Sequence, residues 1–169
     1  MSTLKVNALQ NTSGTALNLI KQIVQTEKGD TFSFTPSSTP EFGTIMSATI
    51  TPSSTSSKIL VIYTMNCRSS ATNSGHGTRV LRGSTAIGIG DTNGSRTRAG
   101  MGSFFNSSDY RNRCVSQTIL DSPSTTSAIT YNLQIGGEAG SAYIVNAGNA
   151  DSVAYSQSCT HLTLLEVAG

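Results

Sequence analysis

Short apolar runs, each cut off by proline, glycine or asparagine, recur along the whole chain. That rhythm limits the fold to strands joined by turns. The breakers are Gly29-Asp30, the stretch from Pro36 to Pro40, Asn93-Gly94, Gly136-Gly137 and Gly148-Asn149. Between them the pattern predicts strands near Ile20–Thr26, Thr31–Thr35, Gly43–Ile50, Lys58–Cys67, Arg79–Arg82 with Ala86–Ile89, Arg96–Phe105, Val115–Leu120, Ala128–Ile135, Ala142–Asn146 and Cys159–Val167. Many short strands with such punctuation read as an antiparallel sandwich or barrel. One window, "ALNLIKQIVQTEK", also fits a three-turn helix, with Leu17, Ile20, Val24 and Lys28 near one face. Windows this short are ambiguous between helix and strand.

One polar turn is written twice. "TPSSTSSKILVIY" begins at Thr51 and "DSPSTTSAITYNL" begins at Asp121. Proline fixes φ at the second position of a type I turn, and flanking hydroxyls bond nearby backbone N–H groups. Each copy launches an apolar strand, which suggests two similar turns at the two ends of a sandwich. Composition agrees with β structure. Serine and threonine number 26 and 23, while charged residues are only 12% of the chain. Disordered chains usually show the opposite balance, with high charge and few β-branched residues. One β-sandwich domain over residues 19–169 is expected, preceded by an extended arm over residues 1–18. In that arm "LKVNALQ" alternates before breaking at "NTSG".

Two strands do not alternate. "KILVIYTM" is apolar at every position from Ile59 to Tyr63, and "LTLLEV" is apolar on both parities. A strand apolar on both faces needs cover on both. A homo-oligomer in which one sheet faces the symmetry axis supplies it, with Leu60, Ile62, Leu162 and Leu164 as interface residues. Central burial under long loops is the other reading.

No catalytic set, cofactor site or metal site is legible. His76 sits in "NSGHGT", read as a glycine-rich loop, with no acid nearby in sequence. Cys159 and His161 share one strand parity, but no third group accompanies them, so a packed or interface histidine is expected. "GDTNG" from Gly90 resembles half of a calcium loop, lacks the later carboxylate, and fits an Asn-Gly hairpin turn. Cys67, Cys114 and Cys159 are widely spaced, as expected of reduced, mostly buried thiols. No run reaches the length of a membrane span, and "MSTLKVNALQ" lacks the basic flank and apolar run of a signal peptide. Synthesis in a reducing cytoplasm and no membrane insertion are the expectations.

Net charge is +2, unevenly distributed. All seven arginines lie between Arg68 and Arg113, and residues 114–169 carry four acids and no Lys or Arg. Arg96 and Arg98, read as neighbours on one strand face, are solvated, paired with those acids within or between subunits, or bound to anionic sugars or phosphate. There is no tryptophan, and Phe104-Phe105 is the lone adjacent aromatic pair, which argues against a nucleic-acid groove.

The stretches "MSTLKVNALQNTSG", "LIKQIVQTEKGDTFSF", "ITPSSTSSKILVIY", "LRGSTAIGIGD", "LDSPSTTSAITYNLQI" and "THLTLLEVAG", in this order, resemble small fibre-like structural proteins of tailed bacteriophages, of the kind common in phages of cyanobacteria and other marine bacteria. The resemblance implies an all-β, jelly-roll-like antiparallel β-sandwich assembling as a homotrimer. It implies an N-terminal arm that fixes the protein to other virion proteins through Leu4, Val6 and Leu9. It implies a non-enzymatic tail fibre or fibre tip on the virion, contacting host surface polysaccharide, or else a capsid decoration protein. A virion-associated glycan-cleaving enzyme is a more distant alternative. A long repetitive shaft, usual in complete fibres, is missing from this sequence.

Overall fold

The structure is a computed structural model that describes residues 19–70, 74–105, 112–147, 153 and 156–169. The expected arm, with Leu4, Val6 and Leu9, lies outside these residues. Among the described residues the chain forms strands and turns with no helix. The strands are β1 (Ile20–Lys28), β2 (Phe32–Phe34), β3 (Glu41–Ile50), β4 (Lys58–Ser69), β5 (Ser74–Arg82), β6 (Thr85–Ile87), β7 (Met101–Phe105), β8 (Arg113–Asp121), β9 (Ile129–Gly137), β10 (Tyr143–Val145) and β11 (Thr160–Val167). From Ile20 on, the window that fits either helix or strand is therefore strand β1; its first three residues lie outside the described residues.

The strands make two antiparallel sheets around one core, so the fold is a β-sandwich. In the first sheet, the long strand β4 is central. One edge of β4 pairs with β8. Its other edge pairs with β11 over residues 58–64 and with β10 over residues 67–69. Outside these lie β1, against β11, and β2, against β10. In the second sheet the order is β3, β9, β5, with β6 and β7 sharing the far edge of β5.

Alternation explains the core. Ile59, Val61, Tyr63 and Met65 of β4 point inward with no exposed surface, as do Leu162 and Leu164 of β11. They belong to one cluster with Ile50 of β3, Val80 of β5 and Leu133 and Ile135 of β9. Full burial of such side chains contributes about 1.5–3 kcal/mol each. Buried tyrosines pair their hydroxyls, as burial of a phenol requires. Tyr63 bonds Thr78 at 2.7 Å, Tyr131 donates to Asp121 at 2.7 Å, and Tyr143 donates to the Gly75 carbonyl at 2.8 Å.

One residue joins the end of β10 to the start of β11. Asn146 is fully buried and left-handed, with φ 71°. Its side-chain amide donates to the carbonyls of Lys28 (2.7 Å) and Asp30 (3.1 Å), and its Oδ1 accepts from Thr160 (2.7 Å). Its backbone carbonyl accepts from Ser158. β10 and β11 thus continue one another along β4.

Several expectations are corrected. The duplicated turns do not sit at two ends of the sandwich. Ile50 pairs with Ile129, and Ile59 pairs with Asp121, so both turns cross between sheets at the same end. "NSGHGT" is not a loop, because β5 begins at Ser74 and His76 is buried. Gly136 and Gly137 do not break a strand but lie within β9. A Cβ on Gly136 would run into the Glu41 carbonyl, so glycine there allows close backbone approach. The strand expected over Arg96–Phe105 starts only at Met101.

Candidate functional site

The outward face of the first sheet is the most unusual surface among the described residues. Strand register lines up side chains across four strands. Ile23 pairs with Leu165, Leu165 with Leu60, and Leu60 with Leu120. These four form one apolar row perpendicular to the strands. Its two ends are open: Ile23 is 61% exposed and Leu120 57%. Leu60 and Leu165 are half-buried by their neighbours. Beside this row lie Val167 and Ile20, the latter also exposed. The next row, Gln25, Thr163, Ile62 and Thr118, is short and uncharged. An antiparallel sheet with one solvated face normally turns polar side chains to that face. Along this one row it turns out isoleucine and leucine instead.

The expected interface residues therefore divide. Leu60 and Ile62 lie on this outward face. Leu162 and Leu164 do not, since both are wholly buried within a single chain, and their outward neighbours are Thr163 and Leu165. The reason is parity: a one-residue step along a strand moves a side chain to the opposite face. Sequence reasoning missed Ile23, Leu120 and Leu165. In "VSQTIL" the inward residues are Val115, Gln117 and Ile119, which leaves Leu120 on the outward parity; only the register joins it to Leu60.

The arginines mostly serve the chain itself. Arg82 pairs with Asp121 at 2.8 Å, joining the arginine-rich segment to the acidic one. Arg79 donates to Gln134 and lies 4.0 Å over the Phe42 ring. Arg68 donates to the Ala147 carbonyl. Arg96 and Arg98 are exposed and lie in an irregular loop, not on a strand face. Arg98 donates to the Gly90 carbonyl at 2.7 Å and Arg96 to the Asn93 side chain at 3.1 Å. These bonds close the "GDTNGSRTR" loop on itself.

The acids are similarly engaged. Glu166 is fully buried at the rim beneath the first duplicated turn. One of its oxygens accepts from the Ser53 amide, the Ser53 hydroxyl and the Ser57 hydroxyl, at 2.6–2.7 Å. The other accepts from Gln22 at 2.7 Å. Burial pushes this carboxyl up, but the bonds from Ser53, Ser57 and Gln22 outweigh it and hold the pKa at about 2. Glu41 is held low by the amide and hydroxyl of Ser37, and Asp30 by Lys28.

A shallow concavity borders the second sheet, lined by Gly75, His76, Gly77, Ala99, Gly102 and Gly137. Its one imidazole is pushed down to about 4 by burial and by the nearby Arg113 charge. His76 is therefore neutral at pH 7, with its Nε2 3.6 Å from the Cys67 sulfur. Burial pushes the Cys67 thiol up to about 12, so it is no nucleophile at neutral pH. All three cysteines are free. Cys67 is buried, Cys159 is partly covered and Cys114 is exposed, which corrects the expectation of mostly buried thiols.

Compared with protein-family models and with curated proteins, the chain finds no match.

Proposed function

We propose that this protein is a non-enzymatic structural component of a tailed-phage particle, a jelly-roll homotrimer working as a tail fibre or fibre tip. The observation that carries the trimer is the apolar row Ile23–Leu165–Leu60–Leu120 on an otherwise solvent-facing sheet. Three copies related by a threefold axis would bury this row against one another. Closed point-group symmetry is the usual outcome for a soluble homo-oligomer.

Strand order supports the jelly roll. Taking β1 with β2, β6 with β7 and β10 with β11 as single legs leaves eight legs. They lie in the order 1-8-3-6 in the first sheet and 2-7-4-5 in the second. First and last legs are thus neighbours, as in a double Greek key. The resemblance of the turn and strand segments to small phage fibre proteins supplies the virion setting. In this reading the arm, through Leu4, Val6 and Leu9, fixes the trimer to another virion protein. The exposed loop bearing Arg96 and Arg98 is the candidate contact for host surface polysaccharide. A structural role accords with acids such as Asp121, Glu41 and Glu166 that serve hydrogen bonds within the fold.

Gold-labelled antibody on intact particles tests the location. Gold at the tail supports the fibre reading, gold over the head makes the protein a capsid decoration instead, and particles without label overturn both.

A further inference from the structure

Cys159 and His161 lack a third partner in the sequence, and the strand register supplies one. β1 and β11 pair so that Glu27 stands directly opposite His161. Both lie on the outward face of the sheet, and Cys159 precedes His161 by two residues, on the same parity. The ligating atoms of Glu27, Cys159 and His161 lie within 4.8 Å of one another. The His161 Nδ1 is 3.8 Å from a Glu27 carboxylate oxygen. That nitrogen is closed off from solvent and has no hydrogen-bond partner. A buried polar atom left without a partner needs an explanation.

We propose that Glu27, Cys159 and His161 form a binding site for a thiophilic divalent cation, with zinc the best fit. The donor set is one sulfur, one nitrogen and one oxygen. Zinc takes such ligands tetrahedrally, with bonds of about 2.0–2.3 Å, which place neighbouring donors about 3.3–3.8 Å apart. A nitrogen–oxygen pair sits at the short end of that range, so the His161–Glu27 separation of 3.8 Å and the rest of the cluster close on an ion by side-chain movements of about an ångström or less. Calcium and magnesium demand several oxygens, and one carboxylate beside a thiol does not provide them. A bound ion would give the His161 Nδ1 the partner it lacks. Cys159 would bind as thiolate, its proton passing to the buffer. Glu27 and His161 keep 69% and 41% of their side-chain surface exposed, so the fourth position opens outward, to water or to a donor from another molecule. All three ligands come from one chain, so the site takes no ligand from another copy.

Cobalt(II) added to the reduced, chelator-stripped full chain is the test. The expected result is one cobalt per chain, with a thiolate-to-cobalt charge-transfer band and the strong visible absorption of tetrahedral cobalt, both abolished by added zinc. Cys159→Ser should remove the charge-transfer band, and His161→Ala should weaken binding by at least about a hundredfold, since even outer-shell changes cost about 10–100-fold. Cys114→Ser should leave the spectrum unchanged, because Cys114 lies on β8 away from the cluster. Both altered ligands are partly exposed, and circular dichroism of each variant would verify its fold. No charge-transfer band in the wild type, or a band that survives Cys159→Ser, would overturn the proposal.

Discussion

Glu166 shows how much a single residue can organise at the rim of a β-sandwich. Its carboxylate collects the amide and hydroxyl of Ser53, the hydroxyl of Ser57 and the amide of Gln22. It thereby ties β11 to β1 and to the turn that launches β4. Its pKa lies near 2, below the ordinary glutamate value of 4.5. A depressed carboxyl stabilises the fold fully above the unfolded value and loses that contribution as pH falls from about 4.5 to 2. His76 acts in a higher window. Its folded pKa of about 4 lies below the ordinary 6.5, so protonation favours the unfolded chain as pH falls from 6.5 to 4. Stability measured by urea unfolding should therefore decline in two stages on acidification. Glu166→Gln should flatten the lower stage and cost roughly 2 kcal/mol at pH 7. An unchanged acid profile in that variant would count against the bond network. The sequence showed the serines of this turn as backbone caps; that they also hold a buried carboxylate more than a hundred residues away depends on tertiary contact.

At the scale of elements, the junction of β10 and β11 is the point most exposed to mutation. Asn146 is left-handed, buried and bonded to three chain segments, at Lys28 and Asp30, at Thr160 and at Asn66. Asn146→Ala would leave the Lys28 and Asp30 carbonyls without this donor and keep the left-handed strain. We expect a loss of roughly 2–4 kcal/mol in chemical denaturation. Asn146→Gly would relieve the strain but not restore the bonds, so it should fall between Asn146→Ala and the wild type. Most strands were legible from apolar runs and turn residues, among them β3, β4, β9 and β11. Two of the misreadings share one cause. Gly75, Gly77, Gly136 and Gly137 look like breakers, yet they lie within strands. A Cβ on Gly136 or Gly137 would meet the backbone of a neighbouring strand, and one on Gly77 the side chain of Ala99. Such close approach is set by packing and leaves no local signal. The cluster of Glu27 with Cys159 and His161 was hidden for a similar reason, since its members lie far apart in the chain and meet only through the register of β1 against β11.

For the whole molecule, the sandwich resolves one half of the puzzle set by strands apolar on both faces. Ile59, Val61, Leu162 and Leu164 fill the space between the sheets. Leu60, Ile62 and Leu165 are left on the other side, where no second layer covers them among the described residues. Sequence reasoning reached the need for cover, but assigned Leu162 and Leu164 to the wrong face because parity cannot be fixed until one strand is placed against its neighbours. Sedimentation equilibrium of the purified full chain, alongside Leu60→Asp, tests the proposed assembly most directly. The account predicts the mass of three chains for the wild type at micromolar concentration and of one chain for Leu60→Asp, whose charge would sit in the middle of the apolar row. A wild-type protein that stays monomeric, or a Leu60→Asp variant that still forms trimers, would contradict it.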